Sequence, residues 1–208
     1  MRTRHALLIA LLPLWLAGCA GKPPQAADIA YRDLGEVGEG ASNRVPAPLP
    51  AGVRAALEVR AASWLDSPAQ QYRLLYADPS RRHAYTSSRW AAAPADLLGR
   101  HLQRQIGFDA GASCRVSLAI DELVQRFASP GASDVVLDVR ATLLSGRGGE
   151  ALAHRAWRFI EAAPAADARG GVSATRDAAD ALAQSLMRWL DELVRQHPEL
   201  TTRCKDKP

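Results

Sequence analysis

Three cysteine thiols are the side chains of this sequence whose surroundings point most directly to chemistry. Cys19 follows Ala17 and Gly18 at the end of an apolar run. Two small residues let the chain enter a peptidase cleft in extended form, and the thiol that follows can take a diacylglycerol as a thioether. Cys114 and Cys204 lie far along the chain and form an even pair. The thiols therefore indicate one site of lipid attachment and one disulfide.

The N-terminal residues have the pattern of an export signal. Arg2 and Arg4 give a basic start, and residues 6–17 are almost wholly apolar. Such a run spans only about 18 Å as a helix, against about 30 Å for the hydrocarbon core of a bilayer. We therefore interpret residues 1–18 as a signal peptide and not as a transmembrane anchor.

The sequence Leu16-Ala17-Gly18-Cys19 resembles the lipobox of bacterial lipoproteins, which implies cleavage before Cys19 and lipidation of its thiol. Acyl chains such as palmitate contribute about 0.8 kcal/mol per buried methylene, so several chains anchor a protein almost permanently. Residue 20 is Ala and not Asp, which by resemblance to enterobacterial sorting favours the periplasmic face of the outer membrane. The alternative is an ordinary secretory signal with a chance cysteine.

The remaining thiols, Cys114 and Cys204, are expected to pair because the periplasm is oxidising. A closed loop of about 90 residues would restrict the unfolded chain by roughly 4 kcal/mol on the entropic model. Two unpaired thiols are the alternative. No second Cys or His stands at metal-ligand spacing from either residue, so we predict no metal site here.

Catalytic motifs are missing from the sequence. It contains no Gly-x-Ser-x-Gly, Ser-x-x-Lys or His-Glu-x-x-His, no phosphate loop and no dinucleotide fingerprint. The pair Asp121-Glu122 falls in a predicted strand, where adjacent side chains point to opposite faces and cannot share a substrate. The mature chain's histidines are isolated from one another along the sequence: His83, His101, His154 and His197. We therefore expect no enzyme, no catalytic residues and no cofactor.

The charge balance argues against nucleic acid as a partner. The formal charge is +4, two units of which belong to Arg2 and Arg4, and the other basic residues are scattered. A nucleic-acid footprint needs a clustered basic surface.

Residues 19–50 are rich in Gly and Pro and are predicted as a lipidated tether, with a short edge strand at 29–34. Residues 51–208 have the size of one domain.

Apolar alternation predicts the strands of this domain. It marks a strand within 53–61, a hairpin of 72–76 with 82–88 that turns at Asp78-Pro79-Ser80, and a meander over 114–127, 135–143 and 151–160.

Two helices are predicted, each with one apolar stripe. The first begins at Pro94 and ends at Gly107, and the second runs from Ser173 as N-cap to about Gln196, before Pro198. Each stripe needs a sheet to pack on. The predicted fold is a single α+β domain, an antiparallel or mixed sheet with two main helices packed on it.

Aromatic residues concentrate in one segment of the chain. They fit either a hairpin core stiffened by cross-strand pairs or an apolar, lipid-contacting surface. The segment resembles the ABC-type transport auxiliary lipoproteins, the PqiC or YmbA-like group once catalogued as a domain of unknown function. The residues that carry the resemblance are Trp64-Leu65-Asp66, Tyr72-Arg73 with Tyr76, Tyr85-Thr86-Ser87-Ser88-Arg89-Trp90 and Pro94-Ala95-Asp96-Leu97-Leu98, with Tyr31, Leu34 and Trp189-Leu190 in support.

The resemblance implies a non-catalytic partner of an ABC transport system that uses an MCE-domain protein. Such systems are thought to move lipids or other hydrophobic molecules between the two membranes. The permease and ATPase would be other chains, and the lipoprotein would dock the MCE conduit at the outer membrane. A ring of copies is one arrangement that would serve this purpose.

Two other classes of function stay open. A periplasmic accessory lipoprotein for envelope assembly would share the anchor and the fold but bind a different protein machine. A hydrolase would need a pocket that gathers His, Ser or acidic residues from distant parts of the chain.

Overall fold

The computed structural model describes residues 28–35, 45–146 and 149–204. Cys19 and the predicted signal peptide lie outside these residues. The strands are β1 (Ala30–Arg32), β2 (Ala47–Pro48), β3 (Ala55–Ala61), β4 (Ala69–Leu74), β5 (Asp78–Trp90), β6 (Ile106–Gly107), β7 (Cys114–Ser129), β8 (Ala132–Ser145) and β9 (Ala151–Ala162). The helices are α1 (Pro94–Gln105), α2 (Ala168–Gln196) and α3 (Glu199–Arg203), with a 3-10 turn at Ser63–Leu65.

Strand β7 lies at the centre of the main sheet. β8 pairs antiparallel with one edge of β7, and β9 pairs antiparallel with β8. Two strands share the other edge in succession: β3 runs parallel to residues 114–120, and β4 runs parallel to residues 125–127. β5 pairs antiparallel with β4, and β1 pairs parallel with the end of β5. The predicted meander and hairpin are confirmed, and the sheet is mixed.

A bulge at Asp121 interrupts β7. Ile120 pairs with Val139 and Glu122 pairs with Asp138, so Asp121 is one extra residue on this strand. An extra residue reverses the alternation that follows it. The side chains that face the helices are therefore even-numbered before the bulge and odd-numbered after it: Val116, Leu118 and Ile120, then Leu123 and Gln125.

Both main helices cover the same face of the sheet. α2 packs on β8 and β9, α1 packs on β3, and the two helices also contact each other. The core between them is aliphatic, and Leu182, Leu186 and Leu190 of α2 are almost fully buried. Among the described residues no helix covers the opposite face. The prediction of a single α+β domain with two main helices is confirmed.

The predicted N-cap of the last helix, Ser173, is wrong, because α2 already begins at Ala168. Asp167 caps this helix, and its carboxylate accepts a hydrogen bond of 2.7 Å from the backbone N–H of Gly170. A Cβ on Gly170 would lie 1.9 Å from the carbonyl oxygen of Ala165. Glycine at this position permits close packing inside a helix, although in the sequence it resembles a loop signal.

One predicted turn and one predicted helix end also differ from the structure. The β4–β5 turn comprises Leu75, Tyr76 and Ala77, closed by a 3.1 Å hydrogen bond from the N–H of Ala77 to the oxygen of Leu74. Asp78 already belongs to β5. Gly107 is not a C-terminal cap, because the chain leaves α1 in an extended conformation at Ile106 and pairs as β6 with β2.

The N-terminal segment is held on the domain by more than β1. Leu34 is buried, and Arg176 of α2 donates a 2.5 Å hydrogen bond to the Leu34 carbonyl oxygen. Arg104 of α1 donates a 3.0 Å hydrogen bond to the carbonyl oxygen of Gly35. Gly35 has φ +66°, a conformation that favours glycine. An edge strand therefore lies within the segment 29–34, while the domain boundaries at residues 18 and 50 stay predictions.

A disulfide joins Cys114, at the start of β7, to Cys204, after α3. Both side chains are buried, and the carbonyl oxygen of Cys204 accepts a 3.2 Å hydrogen bond from the N–H of Arg54. The bond thus holds the C-terminal residues against the start of the central strand.

Replacement of both cysteines, Cys114→Ala with Cys204→Ala, should lower the free energy of unfolding by about 4 kcal/mol, because the unfolded chain loses a large closed loop. Urea denaturation of the oxidised proteins measures this difference. The wild-type protein in reducing agent is the control and should unfold near the midpoint of the double variant. Equal midpoints for oxidised and reduced wild-type protein would contradict the account.

Candidate functional site

The titratable groups considered as candidates for chemistry are dispersed over the fold. Among residues 28–35, 45–146 and 149–204, no group of three His, Cys, Asp or Glu side chains is arranged to hold a metal ion. His83 stacks on Tyr72 in the β4–β5 hairpin, and His154 lies on β9. His101 is a buried residue of α1, and His197 follows α2 and is exposed. The structure does not bring the four histidines together.

The predicted separation of Asp121 and Glu122 onto opposite faces is wrong. The bulge turns both carboxylates to the face away from the helices. Arg140 donates two hydrogen bonds of 2.6 and 2.7 Å to Asp121, and Arg82 donates bonds of 2.5 and 2.6 Å to Glu122. The hydrogen bonds from Arg140 hold the pKa of Asp121 below its ordinary value. Both groups are therefore committed to ion pairs.

These two residues belong to a charged surface on the open face of the sheet. Its carboxylates are all matched by arginines, and two of them each bind two guanidinium groups. Exposed pairs of this kind contribute roughly 0–1 kcal/mol each. The pairs are Glu58 with Arg60 and Arg115, Glu122 with Arg73 and Arg82, Asp121 with Arg140, Asp134 with Arg126, and Asp138 with Arg158.

The aromatic segment divides into three environments. Trp90 lies in the core at 4% exposure, and Arg89 is half-buried beside it on β5. Trp64 is 53% exposed on the open face, where the guanidinium carbon of Arg82 lies 5.7 Å from its ring centroid. Tyr76 is 51% exposed in the β4–β5 turn. The structure therefore does not gather these residues into one site.

Tyr72 and Tyr85 form the cross-strand part of the hairpin. Their ring centroids are 4.7 Å apart, and Phe127 packs edge-on against Tyr72 at 5.7 Å. The Tyr85 hydroxyl donates a 2.9 Å hydrogen bond to Gln125, and burial raises the pKa of Tyr85. The side-chain amide of Gln125 in turn donates a 3.0 Å hydrogen bond to the carbonyl oxygen of Asp167, just before α2. This cluster connects the hairpin to the helix layer.

A buried polar contact ties α1 to α2. The Nε2 of His101 lies 2.7 Å from Oδ1 of Asp180, and the side-chain amide of Gln105 donates a 2.6 Å hydrogen bond to the same oxygen. His101 is fully buried, and its Nδ1 has no hydrogen-bond partner. Burial lowers the pKa of His101, and the charges of Arg104 and Arg176 act in the same direction. The hydrogen bond to Asp180 acts in the opposite direction without outweighing burial. Nε2 of His101 also lies 2.7 Å from the side-chain nitrogen of Gln105, so this one ring nitrogen contacts both residues.

A cleft of about 640 Å³ lies between α2 and β9. Trp157 and Trp189 meet edge to face in it, with ring centroids 5.8 Å apart. Arg155 and Glu192 form a 2.9 Å ion pair across it. Other charged groups in its lining are Arg188, Asp191 and Arg195. We refer to it as the tryptophan cleft.

Sequence reasoning missed the tryptophan cleft because it followed only the apolar stripe of α2. A second stripe was available at steps of three and four residues: Ser185, Arg188, Glu192 and Arg195. Aromatic and arginine side chains together are typical of binding surfaces.

The fold and these surfaces define a class: an α+β domain with one helix-covered and one open sheet face, the open face carrying carboxylates paired with arginines. Two crystal structures share this fold. A protein from Xanthomonas campestris of the family earlier named DUF330 has a TM-score of 0.61 and 19% identity, over 75% of this chain and 95% of that one. An uncharacterized protein has a TM-score of 0.56 and 12% identity, over 78% and 99%.

The family model described as the ABC-type transport auxiliary lipoprotein component matches residues 43–187. This chain belongs to that family, as its resemblance in the aromatic segment predicts. No curated protein matches the sequence. In the part of the chain that the structure describes, no helix combines the length and the apolar character that crossing a membrane requires.

Acidification should destabilise the domain through His101. The unfolded chain takes up the proton near pH 6.5, whereas the folded protein resists it because the pKa of buried His101 is lowered. The free energy of unfolding should therefore fall as the pH decreases below about 6.5. Urea denaturation between neutral and acidic pH measures the slope.

The variant His101→Gln should flatten this slope, and His197→Gln, at an exposed position, should leave it unchanged. An unchanged slope in His101→Gln would contradict the assignment.

Proposed function

We propose that this protein is a non-catalytic, lipid-anchored component of an MCE-type ABC transport system at the outer membrane. The system would move lipids or other hydrophobic molecules across the periplasm. The match of residues 43–187 to the auxiliary lipoprotein family is the observation that carries the proposal.

Anchoring through Cys19 is the first part of this function. The lipobox provides the thiol, and residues 30–35 return the chain to the domain through β1 and the contacts of Arg104 and Arg176. A lipid anchor confines the search for a partner to the membrane surface and raises the effective concentration.

The second part is binding without chemistry. A general acid or base needs a pKa near the working pH and access to a substrate. The carboxylates of the open face are instead held by arginines, as in the pairs of Asp121 with Arg140 and of Asp134 with Arg126. His101 is enclosed between the two helices. These contacts support a role in binding a partner and not in catalysis.

The third part is a surface for the partner. The tryptophan cleft presents the partly exposed ring of Trp157 together with arginines, whereas Trp189 is 4% exposed and packs against Trp157 from the core. Tryptophan and arginine side chains are enriched among the residues that supply most of the energy in protein interfaces. It adjoins β9, whose outer edge pairs with no other described strand. An open strand edge can accept a strand from another chain. Both features favour contact with another protein on this side.

The alternative is an accessory role in envelope assembly. The anchor, the cleft and the free edge of β9 would serve a different protein machine equally well. The two proposals differ in the identity of the bound partner, so recovery of that partner distinguishes them.

Crosslinking in native membranes, followed by purification through a tag after Pro208, should recover an MCE protein with its permease and ATPase. Charge reversal in the cleft, Arg188→Glu with Arg195→Glu, should reduce this recovery several-fold. Arg100→Glu, at an exposed position of α1, is the matched control and should not. Recovery of cell-wall or outer-membrane assembly machinery without an MCE protein would overturn the transport proposal.

Sorting tests the outer-membrane assignment separately. Ala20→Asp should retain the lipoprotein in the inner membrane in a host with enterobacterial sorting, and Ala20→Ser should leave it in the outer membrane. Membrane fractionation with immunoblotting is the measurement. An inner-membrane location for the wild-type chain would contradict the assignment.

A further inference from the structure

Three turns meet at one end of the sheet, and none carries a charge. They comprise residues 75–77 between β4 and β5, residues 130–131 between β7 and β8, and residues 163–166 before α2. Backbone hydrogen bonds of 2.9 Å tie them side by side, from Leu75 N–H to Phe127 and from Ala163 N–H to Ser133. We call this group the uncharged end. The opposite end carries ion pairs, among them Arg203 with Glu150 at 2.5 Å.

The uncharged end also exposes large apolar side chains. Leu75 is 36% exposed and Tyr76 is 51% exposed, next to each other in the same turn. The acidic residues that adjoin these turns lie outside them: Asp78 is an exposed carboxylate at the start of β5 that accepts hydrogen bonds from Ser80, and Asp167 caps α2. Tyrosine is enriched where a protein meets lipid headgroups, because its ring is apolar and its hydroxyl is polar.

The path of the chain toward Cys19 leads to the same end. β1 runs parallel to β5, so its N-terminal end at Ala30 faces toward the β4–β5 turn. Ala30 pairs with Ser88, whose hydroxyl donates to Gln70 on β4. From Gln70 to Leu75 the strand covers about 17 Å, whereas the opposite end lies about 30 Å away along β7.

The length of the tether fits this end. Ten residues lie between Cys19 and Ala30, and the eleven steps between the two Cα atoms span at most about 40 Å when fully extended. The anchor therefore reaches the level of the uncharged end with chain to spare. To reach the other end, the chain would have to reverse its direction and extend almost fully.

We propose that the uncharged end, led by Leu75 and Tyr76, rests on the lipid surface that holds the acyl anchor. Tyr76 then lies at the level of the headgroups, and the tryptophan cleft and the β9 edge stay accessible from the periplasm. This inference rests on the proposed lipidation of Cys19.

Depth-dependent quenching tests this orientation with the lipidated full chain in vesicles of phosphatidylethanolamine and phosphatidylglycerol. Tyr76→Cys provides a thiol for an environment-sensitive fluorophore, since Cys114 and Cys204 are paired. We expect a blue-shifted emission and a strong loss of intensity with headgroup-proximal spin-labelled lipid. Gln196→Cys, at the far end of α2, is the control and should show neither effect.

A second pair of variants tests whether the apolar side chains cause the contact. With the fluorophore at Ala132→Cys, at the start of β8 beside the neighbouring turn, Leu75→Ser with Tyr76→Ser should reduce the quenching several-fold. Val45→Ser, at an exposed valine elsewhere on the domain, should leave it unchanged.

Equal quenching at positions 76 and 196, or none at 76, with acylated Cys19 confirmed by mass spectrometry, would overturn the inference and leave the proposed function intact. Protection of position 76 only after addition of purified MCE protein would overturn it in favour of a protein contact. An unmodified Cys19 would overturn both the inference and the proposed anchoring.

Discussion

The pairing of β7 with strands on both of its edges is the interaction on which the other parts of the structure depend. β8 covers one edge for nearly its full length, and β3 and β4 divide the other. The bulge at Asp121 lies between the segments that pair with β3 and β4, and it changes which side chains face the helices. Without it, Leu123 would point to the open face and Glu122 would enter the core. A buried, unpaired carboxylate is strongly unfavourable.

The same arrangement brings the two ends of the chain onto the central strands. The disulfide holds the C-terminal residues at the start of β7, and β1 holds the N-terminal segment at the end of β5. β1 starts partway along the sheet, level with Gln70 on β4, whereas the disulfide lies at the end formed by the start of β7. With the proposed lipidation of Cys19, this arrangement gives the domain a direction, with the disulfide end pointing away from the anchor. A component that connects a membrane to a periplasmic partner needs such a direction.

The fold class and the strands were predictable from the sequence because the alternation of apolar residues is a local pattern. The meander is an example, since its strands alternate over long stretches, in β7 as far as the bulge at Asp121. The disulfide pairing was predictable because two cysteines remain in a chain expected in an oxidising compartment. The start of α2 was not predictable, because Gly170 and Gly171 are required by contacts with Ala165 and Gln125 from other parts of the chain. The bulge was missed for a related reason: one extra residue leaves no local signal. The tryptophan cleft joins β9 to α2, so only the tertiary structure reveals it.

The central claim is that the domain connects a lipid surface to an MCE partner without performing chemistry. Vesicle bridging tests it most directly: one population carries the lipidated chain, and a second carries the purified MCE protein with its permease and ATPase. Energy transfer between dyes in the two populations reports their association. The account predicts bridging that requires both the acylated Cys19 and the MCE protein. Vesicles that stay separate, although lipidation and incorporation of both components are verified, would contradict it.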